Sequence, residues 1–283
     1  ADGTNSDARF NNPGGVAVDT KGNVYVADWN NSTIRKVAPV GTNWVVTTLT
    51  GAVFNYPADV AVDSAGNLYV ADFGHNTIRK VTPGETSWVV TTLAGNAGST
   101  GYLDGMGSAA LFNGPNSVSV DTLGNLYVAE TENETIRKVT PVGTNWVVTT
   151  LAGKAGIAGS ADGTGSAALF NFNTNINNSG GGGYVVVDTA GNLYVPDFGN
   201  YTIRKGYPPL VMTSSGLGSG SNGGQLGFTL TGPSGQSVVV ESSSDLLNWL
   251  PVWTNTLAFP AALTFKDPQS GVYPNRYYRA FMK

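Results

Sequence analysis

Short apolar runs, punctuated by Gly, Asn, Asp and Thr, fill the first two thirds of the chain. Val24–Ala27 and Leu68–Ala71 are apolar throughout. Trp44–Leu49, Trp88–Leu93 and Trp146–Leu151 instead alternate, as a strand does when one of its faces is buried. Set in order, these runs give a unit of four strands. Gly15–Asp19 or Asp59–Asp63 opens it, and a Gly-Asn turn leads to the second strand. Thr33–Val37 or Thr77–Val81 is the third, and the Trp-led alternating run is the fourth. Four antiparallel strands per unit make one blade of a β-propeller.

The unit recurs. It reads GNVYVADWNNSTIRKV at 22–37, GNLYVADFGHNTIRKV at 66–81, GNLYVAETENETIRKV at 124–139 and GNLYVPDFGNYTIRK at 191–205. The aspartates that close the first strands, Asp19, Asp63, Asp121 and Asp188, are spaced by 44, 58 and 67 residues. A period of roughly 40–50 residues made of short strands and tight turns signals a propeller. The longer intervals carry two elaborated copies of one loop, Asn96–Asn116 and Lys154–Gly183.

The motifs Pro-x-Gly-Val-Ala-Val-Asp, Gly-Asn-Leu-Tyr-Val-Ala-Asp and Ile-Arg-Lys-Val resemble the NHL repeat family from about Phe10 to Lys205. The resemblance implies a propeller, commonly six-bladed in that family, whose faces usually bind a partner. This chain departs from the pattern by having four repeats. Its fourth repeat lacks a Trp-Val-Val-Thr-Thr-Leu strand after Lys205, for which Pro209–Thr213 is the substitute at hand.

After Gly206 the pattern changes. Ser214–Gly224 is Gly/Ser-rich and reads as a linker. Strand-like segments follow at Leu226–Thr231, Ser237–Ser242, Trp249–Thr254, Ala262–Phe265 and Arg276–Phe281, which predict a small β-sandwich. The expected fold is therefore all-β: a four-bladed NHL-type propeller over 1–206, a linker over 207–225 and a β-sandwich module over 226–283. The last module resembles C-terminal modules of secreted proteins from environmental bacteria, which implies surface localisation or assembly.

Composition narrows the function. Charged residues are 12% of the 283, Gly contributes 38, and the net charge is −4. Lys and Arg recur in the Ile-Arg-Lys strands rather than in one basic stripe, so a nucleic-acid partner is not expected. There is no cysteine, hence no disulfide framework and no thiolate chemistry. No apolar stretch of about 18 residues predicts a membrane span. The chain opens on Ala1-Asp2-Gly3, the tripeptide that returns at 161–163, and reads as starting inside a repeat loop, with a processed or trimmed end. Low charge, abundant Thr, Asn and Gly and no Cys favour an extracellular or cell-surface protein.

Candidate chemistry is sparse. Asp28, Asp72, Glu130 and Asp197 follow the second strands, and Arg35, Arg79, Arg137 and Arg204 lie on the third. They form either a ring of charge around a ligand channel or acid–Arg pairs within or between blades, each acid also capping a turn. Identical placement in every repeat favours the pairs. Asp19, Asp63, Asp121 and Asp188 suit turn formation. His75 is the one histidine and cannot supply a multi-His zinc site. Its turn position holds Asn31, Asn133 and Asn200 in the other repeats. Those three, with Asn30 and Asn177, are also Asn-x-Ser/Thr sequons and candidate glycosylation sites. Asp-Gly at Asp2, Asp104 and Asp162 reads as a turn rather than a calcium loop. Trp44, Trp88 and Trp146 are expected at the blade periphery, and Trp249 and Trp253 in the core of the small module.

No catalytic residue, metal ligand or cofactor is assigned. The expected function is a secreted, non-enzymatic structural or interaction scaffold. The poor outer strand of the last blade and a loose arm at Ala1–Arg9 would allow copies to join by strand addition into a filament or matrix. The alternative is a monomeric carbohydrate- or peptide-binding propeller with the two long loops as its rim. A metal-dependent propeller lyase or lactonase is the least favoured class. Partners are other copies or a surface glycan or peptide.

Overall fold

A computed structural model describes residues 1–282 except 52, 85–86, 173–181, 208–209, 215–226, 233–235, 258–261 and 268–275. The described residues are built of strands and short 3-10 turns, and none of their helices is long and apolar enough to cross a membrane. They divide into two compact units, one of residues 1–187 and 194–204, the other of 188–193 and 205–283.

Blade 1 comprises β1 (Gly3–Thr4), β2 (Pro13–Val18), β3 (Val24–Asp28), β4 (Thr33–Val40) and β5 (Asn43–Thr48), in the order β1-β5-β4-β3-β2. Blade 2 has four strands in sequential order: β6 (Pro57–Val62), β7 (Leu68–Asp72), β8 (Thr77–Pro83) and β9 (Trp88–Ala94). Blade 3 repeats the five-stranded plan with β10 (Gly105–Met106), β11 (Pro115–Val120), β12 (Leu126–Glu130), β13 (Thr135–Val142) and β14 (Asn145–Gly153). Among the described residues the fourth repeat has three strands: β15 (Val186–Val187), β16 (Leu193–Asp197) and β17 (Thr202–Gly206).

The N-terminal arm is not loose. Gly3 and Thr4 pair with Val46 and Val45 of β5, so the residues ahead of the first strand form a fifth, outermost strand of the same blade. Gly105 and Met106, from the middle of the Asn96–Asn116 loop, do the same against Val148 and Val147 of β14. The same loop buries Ala110 and Phe112, so much of the expected binding rim is spent on structure.

Each first turn is locked by its aspartate. Asp19 Oδ1 accepts the backbone N–H of Lys21 and Asn23, and Oδ2 accepts Asn23 Nδ2 and the Tyr25 hydroxyl. Asp63 and Asp121 repeat all four bonds, with Tyr69 and Tyr127 as the phenols. The glycine one step before the Asn takes φ near +80°, which is why the Gly-Asn pair recurs. Burial together with the Asp19 charge pushes the Tyr25 phenol up to about 12.

Blades pack face to face through these same strands. One cluster joins Tyr25, Ala27, Ile34 and Leu49 of blade 1 to Val60, Leu68, Val70 and Val81 of blade 2. The next joins Tyr69, Ala71 and Ile78 of blade 2 to Phe112, Val118, Leu126 and Val128 of blade 3. The recurring Trp belongs to this seam: Trp88 meets Tyr25 edge-on at 6.1 Å, and Trp146 meets Tyr69 at 6.2 Å. Trp44 makes no such ring contact among the described residues and is exposed.

In the second unit, β18 (Val211–Ser214), β19 (Gly227–Thr231) and β22 (Ala262–Lys266) form one sheet in the order β18-β19-β22. A second sheet runs β21 (Leu250–Thr256), β20 (Ser237–Ser243), β23 (Tyr277–Met282). Phe228 and Leu230 of the first sheet and Val238 and Val240 of the other share one core with Leu257 and Phe265. Val211–Ser214, expected either as linker or as the missing outer strand of the fourth repeat, pairs with β19 instead. Trp253 packs against Phe265 in that core. Trp249, also expected in the core, precedes β21. It lies outside the core, with the Arg279 guanidinium 4.5 Å above its ring.

Candidate functional site: charge clasps, an aromatic cluster and bare blade ends

The repeated acids and arginines meet within each blade. In blade 1 the buried Asp28 accepts Arg35 Nη1 at 2.8 Å, Asn31 Nδ2 at 2.8 Å and the Asn11 N–H at 2.8 Å. Arg35 then reaches across the sheet to Asp2, whose Oδ1 also accepts the Thr48 hydroxyl. Blade 3 repeats this with Glu130, Asn133, Asn113, Arg137, Asp104 and Thr150. The fourth repeat uses Asp197, Asn200, Asn171, Arg204 and Asp162. The Asp-Gly segments are thus neither bare turns nor calcium loops: their aspartates close an acid–Arg–Asp clasp. In blades 1 and 3, and in the fourth repeat, the arginine also lies over Phe10, Phe112 or Phe170, within 5.1 to 5.6 Å of the ring centre.

Blade 2 departs from the pattern. Asp72 accepts Arg79 Nη1 at 3.2 Å and faces His75 Nδ1 at 2.8 Å, so the one histidine stands in for the turn asparagine. The short connection into blade 2 carries no Asp-Gly, and Arg79 has no second acid among the described residues.

The sequon asparagines are therefore committed. The Nδ2 atoms of Asn31, Asn133 and Asn200, the atoms that a glycan would modify, donate to buried carboxylates, and Asn133 is only 5% exposed. Asn30 is exposed and donates from Nδ2 to Asn11 Oδ1 at 3.3 Å. Asn177 lies outside the described residues.

Asp59 has a role that the repeat reading missed. It occupies the position of Gly15 and Ser117, between the inner strands of adjacent blades. Its carboxylate accepts the Val60 N–H at 2.8 Å, the Ser117 hydroxyl at 2.9 Å and, across the seam, the Val118 N–H at 3.0 Å. Ser117 and Ser119 serve the next seam by accepting the N–H groups of Val185 and Val187. Inner strands of neighbouring blades share no ladder, so a side chain supplies the acceptor. Gly15 is required opposite, because a Cβ there would lie 1.7 Å from Asp59 Oδ1. The signal in the sequence is a lone acid in a repeat column that otherwise holds Gly15, Ser117 and Tyr184. Burial pushes the Asp59 carboxyl up. Asp59→Ala should cost about 1–3 kcal/mol by chemical denaturation, as the Val118 N–H loses its acceptor. A carboxyl raised in the folded state holds its extra proton there. The wild type should therefore gain stability over the variant as pH falls from the raised value toward the ordinary carboxylate range. A pH-independent difference would refute this.

One surface cluster stands out. Trp29 lies 5.7 Å from Tyr56 and 5.0 Å from Phe73, ring centre to ring centre, where the second-to-third-strand turns of blades 1 and 2 meet the connection between them. Tyr56 is exposed, and Asn30, Asn55 and His75 lie within two residues of these aromatics along the chain. Among the described residues no three His, Cys, Asp or Glu side chains are grouped as metal ligands.

The two ends of the blade array are bare. Val16 is 62% exposed, whereas its counterparts Val60, Val118 and Val185 are 2%, 3% and 1% exposed. At the other end Ile203 is 68% exposed, against 0%, 0% and 1% for Ile34, Ile78 and Ile136. The first and fourth repeats therefore leave these positions uncovered, and the expected four-bladed closure is not seen in their burial.

The NHL repeat matches residues 10–37, 54–81 and 112–139. Among solved structures, a protein of unknown function from Bacteroides thetaiotaomicron is 24% identical with a TM-score of 0.55, over 68% of this chain and 46% of that one. An auxiliary nutrient binding protein from the same organism is 19% identical with a TM-score of 0.52, again over 68% and 46%. The chain thus spans about half the length of these two structures, and at such identity the likeness concerns the fold alone. No curated protein matches the sequence. Three matched NHL repeats, each built as an antiparallel blade, give this chain an NHL-repeat β-propeller fold.

Proposed function

We propose that the chain is a non-enzymatic interaction scaffold that works outside the cell and associates with like blades end to end. The observation that carries this is the pair of bare ends. Val16, Val18 and Trp44 form one end, and Tyr201 and Ile203 the other, all exposed. Val16, Val18, Trp44 and Ile203 occupy repeat positions that blades 1 to 3 use to pack on one another. Exposed apolar faces of this kind mark interaction sites. The repeated charges are tied into clasps, which leaves little for catalysis among the described residues. The low charge and the absence of Cys support an extracellular setting.

Sedimentation velocity across a concentration series, with electron microscopy of the same samples, tests the reading. The wild-type chain should assemble as concentration rises. Val16→Asp and Ile203→Asp should each lose higher assembly, and their equimolar mixture should give a dimer, since each variant keeps one intact end. A wild-type chain that stays monomeric at every concentration would falsify the proposal.

The Trp29–Tyr56–Phe73 cluster favours a second reading, a platform for stacking a sugar ring. Saturable quenching of tryptophan fluorescence by a glycan, lost in Trp29→Ala, would support it over assembly.

A further inference from the structure

Blade 2 has an unfilled place for a strand, and the chain carries the strand that suits it. In blade 1 the segment Ala1-Asp2-Gly3-Thr4 lies along the β5 edge, Gly3 opposite Val46 and Thr4 opposite Val45. Its Asp2 carboxylate bridges Arg35 and Thr48, which are themselves cross-strand partners. Blade 3 shows the same bridge from Asp104 to Arg137 and Thr150.

Blade 2 carries the receiving half of this arrangement without its occupant. Arg79 pairs with Thr92, and β9 repeats the Trp-Val-Val-Thr-Thr-Leu run of β5 at Trp88–Leu93. No strand pairs with the outer edge of β9 among the described residues. Val89 is 54% exposed, and Val90 is only half-buried where Val46 and Val148 are buried.

The donor half also occurs a second time, held by Arg204 through Ala161 O and Asp162 but without a strand partner among the described residues. Ala161-Asp162-Gly163-Thr164 is identical in sequence to Ala1–Thr4. Among the described residues the fourth repeat gives it no outer strand to join, the sheet there running β15-β16-β17. Asp162 touches Arg204, yet its side chain is 94% exposed.

We infer that the β9 edge of blade 2 is a docking site for the Ala161–Thr164 segment of a second copy. The segment adds antiparallel to β9, with Gly163 opposite Val90 and Thr164 opposite Val89. Asp162 then bridges Arg79 and Thr92 as Asp2 bridges Arg35 and Thr48. Main-chain bonds to an open edge supply the attachment, and the charge-assisted Asp–Arg contact fixes the register. The inference rests on the self-association reading but uses a surface distinct from the blade ends.

Because the chain has no cysteine, a disulfide can report the contact cleanly. Val16→Asp serves as the background, so that end-to-end docking is blocked. One preparation also carries Val89→Cys and the other Thr164→Cys, both at exposed positions. Mixed under mild oxidant, they should form a disulfide-linked dimer at least tenfold faster than Val89→Cys mixed with the exposed control Thr20→Cys. Adding Asp162→Asn to the Thr164→Cys copy, or Thr92→Val to the Val89→Cys copy, should slow it severalfold. Cross-linking no faster than the control would overturn the inference, whatever the blade ends do. Saturable binding of a Gly-Ser-Ala-Asp-Gly-Thr-Gly peptide without that cross-link would overturn the second copy as the occupant.

Discussion

Ile78→Ala should lower the stability of the propeller unit by about 2–5 kcal/mol. Ile203→Ala, the same substitution at the same repeat position, should change it by less than about 0.5 kcal/mol. Ile78 is fully buried in the seam between blades 2 and 3, among Ala110, Phe112 and Val118. Removing its side chain leaves a cavity that the two sheets cannot collapse into. Ile203 faces solvent, so the folded chain loses little when it is truncated. Chemical denaturation of dilute protein, followed by tryptophan fluorescence, reads both values. Equal losses would mean that the fourth blade is covered in solution, and the end-to-end reading would then need a different surface.

Arg137→Ala is expected to be the most damaging single change in a clasp, at roughly 3–5 kcal/mol near neutral pH. Glu130 and Arg137 are both fully buried, 2.9 Å apart. Burial already pushes the Glu130 carboxyl up, and Arg137 is the first of the groups that pull it back. Without the guanidinium the carboxylate is left charged in a dry seam, and Asp104 loses its partner at the blade edge. The carboxyl of the variant titrates still higher in the folded state. Its deficit should therefore shrink as pH falls through that raised value toward the ordinary carboxylate range, where the folded protein takes up the proton. Arg204→Ala also strands a buried acid, Asp197, but should cost less, because Arg204 is itself 16% exposed where Arg137 is fully buried and water can reach the site. Thermal or urea melts across the acid range check both statements. A deficit for Arg137→Ala that is constant with pH would rule out the buried-charge explanation.

Much of this was legible in the residues. Strand order, the Asp-locked turns and the pairing of acids with arginines followed from local spacing repeated in every unit, while the structure decides that each acid takes the arginine of its own blade. The Asp-Gly clasp did not, because Asp2 and Arg35 are 33 residues apart and only the return of the chain to the β5 edge joins them. The same return turned an arm that looked loose into a strand. The role of Asp59 was hidden because its partner Val118 belongs to the next blade. Val16 and Val60 are the same residue in nearly the same motif, and no local pattern distinguishes a covered valine from a bare one. The difference lies in the neighbouring blade. The sequons illustrate the converse: the letters suit a glycan, while the fold gives the Nδ2 atoms of Asn31, Asn133 and Asn200 to buried acids.

The fifth strand also decides how the protein would behave under mechanical load. In blade 1 the chain enters at Gly3 and leaves at Thr48, and these two points lie side by side because β1 is laid against the end of β5. In blade 3 the chain enters at Gly105 and leaves through β14, again on adjacent strands. Tension along the backbone would peel such a blade from one corner, a bond at a time, and the first contact to feel it is the aspartate held by Arg35 and Thr48, or by Arg137 and Thr150. Blade 2 is entered at its innermost strand and left at its outermost, so the pull there is spread across the whole sheet. A tether built from these units would yield in steps, with the two clasped blades setting the threshold.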